Sequence, residues 1–174
     1  MRSLPLVVLL SACAGAPAEP SPAAPSVPAA AAVDYRIVDG RVEVPDAVTF
    51  VTGAAALSTA SDAALWHVVG FLVAKPSITT LRIEVHGDGV GDRAAEQALG
   101  EARAAAVFAR LVELGADPKR LLAVAFGDEK PVAAADTPEG QAQNRRVEFR
   151  PAAMRGKAIG GMPLDGGGRV VAPK

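Results

Sequence analysis

Apolar positions along this chain follow two periods, and the switches between them mark out its elements. Leu81, Ile83 and Val85 alternate with Arg82, Glu84 and His86, the period of two expected of a strand with one buried face. Gly87, Gly89 and Gly91 end it. From Asp92 to Leu114 the spacing turns helical, with Leu99, Val107, Leu111 and Leu114 on the buried side, Ala104 allowing close packing against a sheet, and Gly115 as the stop. Gly100 inside that helix costs about 1 kcal/mol relative to alanine, so a backbone, a ligand or packing should come close there. Upstream, Leu65, Val68, Val69 and Leu72 predict another helix, starting near Thr59 with Asp62 in its first turn and closed by Pro76. Trp66 belongs at the edge of that stripe, and His67 in solvent.

Shorter patterns complete the set. Tyr35 to Val38 and Arg41 to Val44 flank Asp39-Gly40, a strong two-residue hairpin signal. Val48 to Val51 reads as a short strand anchored by Phe50, and Leu121 to Phe126 as a longer one. Gly127 to Gly140, with Pro131 and Pro138, reads as an irregular loop. Arg145 to Arg150 closes the series with Val147 and Phe149 inward; Arg145 shares their parity, while Arg146 and Glu148 point the other way. The expected fold is an α/β two-layer sandwich, a mixed sheet with helices packed on one face, in the order β-α-β-α-β-β after an N-terminal hairpin.

The ends differ from this middle. Met1 and Arg2 precede an apolar run from Leu4 to Leu10, too short to span a bilayer, which needs about 20 residues. Residues 1–12 therefore read as a secretory signal. Leu10-Ser11-Ala12-Cys13 resembles the lipobox of bacterial lipoproteins, which implies lipidation of Cys13 and a membrane anchor; an ordinary signal with an incidental cysteine is the alternative. Residues 13–32 form an Ala/Pro-rich tether, extended at about 3.1 Å per residue. The folded part runs over 33–150. After Pro151 periodicity is lost, and residues 151–174 are expected to be disordered.

Charge changes this picture in one place. With 174 residues, a net charge of -1 and dispersed basic residues, the chain is one domain plus tails and lacks the electrostatic footprint of a nucleic-acid binder. The locally interesting charges are Asp88 at the strand exit and Arg103 on the long helix. A carboxylate and a guanidinium on either side of a shallow site would suit a zwitterion. Equally, the two residues can simply pair with each other.

From Val48 to Phe149 the chain resembles the OmpA-like domain, the peptidoglycan-binding module of outer-membrane protein A and of peptidoglycan-associated lipoproteins. His86 and Asp88 stand where that family has its Gly-His-Thr-Asp, and Leu99, Arg103 and Ala104 are in register on the helix. Ala125-Phe126-Gly127 with Pro131, Ala125 standing in place of the family's first glycine, and Asn144-Arg145-Arg146-Val147 keep its later motifs. The resemblance implies non-catalytic binding of the diaminopimelate of a peptidoglycan stem peptide, with Asp88 on the amino group, Arg103 on the carboxylate and Arg145 lining the same pocket. It also implies an outer-membrane lipoprotein whose domain faces the periplasm. Gly87 replaces the family threonine, Val85 a glycine, Gly100 a serine, and Glu96 the family asparagine, which adds negative charge near the amine subsite.

Catalysis has little support. The single cysteine is the lipidation candidate, His67 and His86 have no metal-ligand spacing, and there is no nucleophile elbow. No cofactor motif is present. The competing reading is a protein-protein interaction module of an envelope assembly, with a vestigial wall-binding pocket; Gly87 and Glu96 favour it, whereas Asp88, Arg103 and Arg145 favour wall binding.

Overall fold

The structure, a computed structural model, describes residues 33–171. The signal segment, Cys13 and the tether lie outside the described residues. The first two strands, β1 (Arg36–Val38) and β2 (Arg41–Glu43), form the expected hairpin. Asp39 and Gly40 at its turn have φ of 50° and 72°, the left-handed pair whose twist matches the flanking strands. Then follow α1 (Ser61–Ala74), β3 (Ile78–His86), α2 (Arg93–Glu113), β4 (Leu121–Gly127), α3 (Pro138–Asn144), β5 (Arg146–Met154), β6 (Lys157–Ala158) and β7 (Arg169–Val170). The sheet order is β1-β2-β5-β3-β4-β7, with β6 on β5. Only β3 and β4 run parallel among these pairs. This is the mixed sheet with helices on one face that the alternation predicted.

The inward set of β3, Leu81, Ile83 and Val85, is buried with Phe149 and Ala123 against Leu65, Val68 and Phe71 of α1 and Ala104, Val107 and Leu111 of α2. Arg110 donates to both Asp62 oxygens at 2.9 and 2.7 Å, joining the two helices at their solvent edge. Asp92 caps α2 by accepting from the Ala95 N–H at 2.8 Å. His67 accepts the Asp34 N–H at its Nδ1. A Cβ on Gly100 would meet only the Ala125 Cβ at 3.7 Å, an ordinary contact, so no unusually close approach explains that glycine.

Four expectations need correction. Val48 to Val51 is not a sheet strand: it folds back on itself through Val51 N–H to the Ala56 carbonyl, leaving one bridge between Phe50 and Leu57. Ser61 fixes this loop to the start of α1, its Oγ accepting from Thr49 N–H at 2.9 Å and donating to Thr49 O at 2.8 Å. The loop after β4 contains α3, capped by Thr137 and opened by Pro138, which needs no N–H at a helix start. Asn144, buried, accepts from the N–H groups of Val132 and Ala133 and holds that loop shut.

The other two corrections concern the C-terminal part. β5 begins at Arg146, so Arg145 is the cap of α3 and strand parity does not govern it. The strand continues through Pro151, beside a register shift between Thr80 and Leu81 that accommodates a residue lacking a donor. Residues 151–171 are ordered. They cross the face of the sheet opposite the helices, where Arg82 donates to the carbonyls of Pro163 and Leu164 at 3.4 and 2.9 Å. Gly168 lies on Val124 and Phe126, so close that a Cβ there would stand 2.5 Å from Val124. This segment is held by backbone carbonyls and glycine contacts, which leave no hydrophobic period to read.

Candidate binding groove

The parallel β3–β4 pair opens at its C-terminal end. Gly87 N–H still reaches the Gly127 carbonyl at 2.7 Å, and beyond it the chain turns through Asp88 and Gly89 toward the N-terminus of α2. On the other side the Thr49-to-Gly53 turn closes in. Between them lies a groove of about 560 Å³ whose walls include Phe50, Val85, Leu99 and Val147 and whose charged groups are Glu96, Arg103, Arg145 and Arg146. Apolar walls with a few convergent charges are the usual build of a small-ligand site.

Arg103 reaches it from the middle of α2. Its Nε donates to the Ala54 carbonyl at 3.1 Å, and its guanidinium lies over the Phe50 ring, 5.0 Å from the centroid. Those contacts fix the head group while leaving its other nitrogens to the groove. Asp88 does not pair with Arg103. It pairs with Arg145, whose Nη1 donates to Oδ2 at 2.5 Å, and it also accepts the Val90 N–H at 3.2 Å. Arg145 stays half exposed, whereas the Asp88 side chain is only 10% exposed.

Glu96 sits in the first turn of α2, beside Gly87. A Cβ on Gly87 would lie 2.5 Å from Glu96 Oε2, so the carboxylate occupies the space a side chain at 87 would use. Burial raises the Glu96 carboxyl above its ordinary range, and the negative charges of Asp88 and Asp128 add to the rise. Arg103 and the Asp88 backbone N–H oppose it.

Of the residues singled out in the sequence, Glu96, Leu99, Arg103 and Arg145 line the groove, Gly87 lies against Glu96, and Asp88 pairs with Arg145. What the sequence reading missed is the opposite wall. Phe50 and the Ala54 carbonyl hold Arg103 from 53 and 49 positions away, and no local pattern records such a contact.

A second charged cluster lies on the far face, under the C-terminal segment. Glu84, His86 and Glu148 are buried with potential ligand atoms within 4.8 Å of one another. Their surroundings oppose a metal ion. Arg82 holds Glu84 at 2.5 Å, and Arg146 and Arg150 hold Glu148 at 2.7 and 2.9 Å, so guanidinium groups already fill the carboxylates. Burial acts to raise the Glu148 carboxyl, but the bonds and charge of Arg146 and then Arg150 outweigh it and bring it down to about 2. His86 stacks on Phe126 with ring centroids 5.1 Å apart and also contributes to the wall of the groove.

Residues 49–145, more than half of the chain, match the OmpA family. The chain belongs to the OmpA family. It is 33% identical over 148 residues to the peptidoglycan-associated lipoprotein of Rhizobium meliloti, covering 84% of each chain. It is 46% identical over 68 residues to the peptidoglycan-associated lipoprotein of Pseudomonas putida, covering 39% of this chain and 41% of that protein. Among solved structures, the peptidoglycan-associated lipoprotein of Burkholderia pseudomallei superposes with a TM-score of 0.54 at 30% identity, over 60% of this chain and 88% of that one. The chain spans less than half the length of several other curated relatives.

Proposed function

We propose that this OmpA-family chain binds the diaminopimelate-bearing stem peptide of peptidoglycan without catalysis, tethering the outer membrane to the cell wall. Three relatives named as peptidoglycan-associated lipoproteins support the coarse assignment. The observation that carries the finer one is the charge layout of the groove: Arg103 and Arg145 beside Glu96 and Asp88, between apolar walls. A stereocentre bearing both an ammonium and a carboxylate matches such a layout, each ligand charge meeting its opposite. Lipid on Cys13 would hold one end at the outer membrane with the domain facing the periplasm, and the proline-rich segment would give reach toward the wall.

The test is co-sedimentation of the full chain, carrying Cys13→Ser for solubility, with purified peptidoglycan sacculi. Wild type should sediment and be released by free stem tripeptide. Arg103→Ala and Asp88→Lys, each shown to be folded by circular dichroism, should stay in the supernatant. Equal sedimentation of all three proteins, or none of wild type, overturns the reading. The second reading, an interaction module for envelope proteins, is favoured by one observation: the Asp88–Arg145 pair already satisfies both partners without a ligand. It gains if wild type ignores sacculi while remaining folded.

A further inference from the structure

We infer that the end of the domain opposite the groove is a membrane-docking face, formed by the β5–β6 hairpin and the segment after it and suited to anionic phospholipid. The inference is independent of what the groove binds.

The topology separates the two ends. β5 pairs antiparallel with β3, from Arg146 against His86 to Met154 against Ile78. The groove gathers at the His86–Arg146 end, so Met154 and the hairpin it opens stand at the other. Arg155 and Gly156 make the hairpin turn, with φ of 50° and 75°. The Arg155 N–H donates to the Ser77 carbonyl at 2.8 Å, and the Gly156 N–H donates to Thr79 Oγ1 at 3.0 Å. Those bonds tie the hairpin backbone to the chain between α1 and β3.

Every residue from Met154 to Leu164 is exposed. Met154, Ile159, Met162 and Leu164 are 40% to 55% exposed, while the carbonyls of Pro163 and Leu164 turn inward to Arg82. An exposed hydrophobic residue standing alone is ordinary, but several in one ordered stretch mark a surface that meets something.

Two observations point to lipid. The first is charge. Arg155 and Lys157 are the only charged residues between Arg150 and Asp165. Arg120 adds to this end, its Nη2 donating to the carbonyls of Lys75 and Ile78 at 3.0 and 2.7 Å. The neighbouring Asp117 carboxylate is taken up by the Lys119 N–H at 2.9 Å. Apolar side chains interleaved with cations suit an anionic headgroup layer. The second is the entry of the chain. The first residue of α1, Ser61, is bonded to Thr49 at the groove end, and the helix runs from there toward Ile78. Val33 lies against Gly70, in the half of α1 nearer the hairpin, so closely that a Cβ on Gly70 would meet it. Lipid on Cys13, as proposed above, would therefore hold the domain by the side that carries this face, leaving the groove turned toward the wall. Tethering raises the effective concentration of the surface, so a weak and reversible contact suffices.

The experiment is vesicle flotation of the processed chain, beginning at residue 13 with Cys13→Ser, so that neither the signal segment nor an acyl chain contributes. The probes are vesicles of phosphatidylcholine alone and of equimolar phosphatidylglycerol and phosphatidylcholine. Wild type should bind the anionic vesicles about tenfold better than the neutral ones and be released as salt rises. Ile159→Ser combined with Met162→Ser should lower binding about tenfold, and Arg155→Gln with Lys157→Gln should remove the preference for anionic lipid. Val132→Ser, at an exposed valine beside Asn144 on the groove end, should change nothing. No flotation of folded wild type, or equal flotation of the double serine variant, overturns the proposal. So does a wild-type dimer in analytical ultracentrifugation that the serine variant loses, which would assign the face to a second copy of the chain. Sedimentation with sacculi reads the groove and should be the same in wild type and in both hairpin variants; its loss in those variants would place the hairpin in the wall contact and overturn the lipid assignment.

Discussion

The two faces of this sheet handle arginine and carboxylate side chains in opposite ways. On the far face, Glu84 and Glu148 are buried and enclosed by Arg82, Arg146 and Arg150, with Arg82 also capped by backbone carbonyls of the returning chain. At the groove, Asp88 has its guanidinium but Glu96 does not. A filled network specifies how the chain packs. An unfilled one, kept where solvent and a ligand can enter, is strain that something outside the chain can relieve.

The comparison breaks most visibly if the filled network is opened. Glu84→Ala leaves Arg82 without its buried counter-charge and should destabilise the domain by about 3 kcal/mol, read from the denaturant midpoint. Glu148→Gln adds a pH signature. A carboxyl held at about 2 when folded, below its usual 4.5, contributes stability that is present above pH 4.5 and lost as pH falls toward 2. The deficit of Glu148→Gln against wild type should therefore be full at neutral pH and vanish in acid; a pH-independent deficit would contradict the network.

A smaller effect is expected where the returning chain covers this face. Gly168→Val should clash with Val124 and Phe126 and cost about 1–3 kcal/mol, with faster amide exchange across residues 163–170 than in α2. Unchanged exchange there would mean that the segment does not depend on that contact.

The smallest effect carries the opposite sign. Because the Glu96 carboxyl is raised in the folded domain, its contribution is present below the usual carboxyl range and is lost as pH rises through its raised value. Glu96→Gln should thus stabilise the empty domain at neutral pH by about 0.5 kcal/mol, with the gain shrinking as pH is lowered. A loss of stability at neutral pH would show that Glu96 is satisfied within the chain, and the contrast between the two faces would fail.

Much of this molecule was written in local order. Alternation fixed β3 and its inward face, helical spacing fixed α1 and α2, and Asp39-Gly40 fixed the hairpin, because each depends on neighbours a few positions away. The family motifs also carry Asp88, Glu96, Arg103 and Arg145, which the fold places at one end of the sheet. Which carboxylate meets which guanidinium was a different matter. Asp88 chose Arg145, 57 positions away, over Arg103, because α3 ends beside the strand exit while Phe50 and Ala54 draw Arg103 to the opposite wall. The same limit explains the C-terminal segment. Its order comes from backbone carbonyls meeting a buried arginine and glycines lying flat on a sheet, and pairings of that kind leave no period in the sequence. They exist only once the chain has folded back on itself.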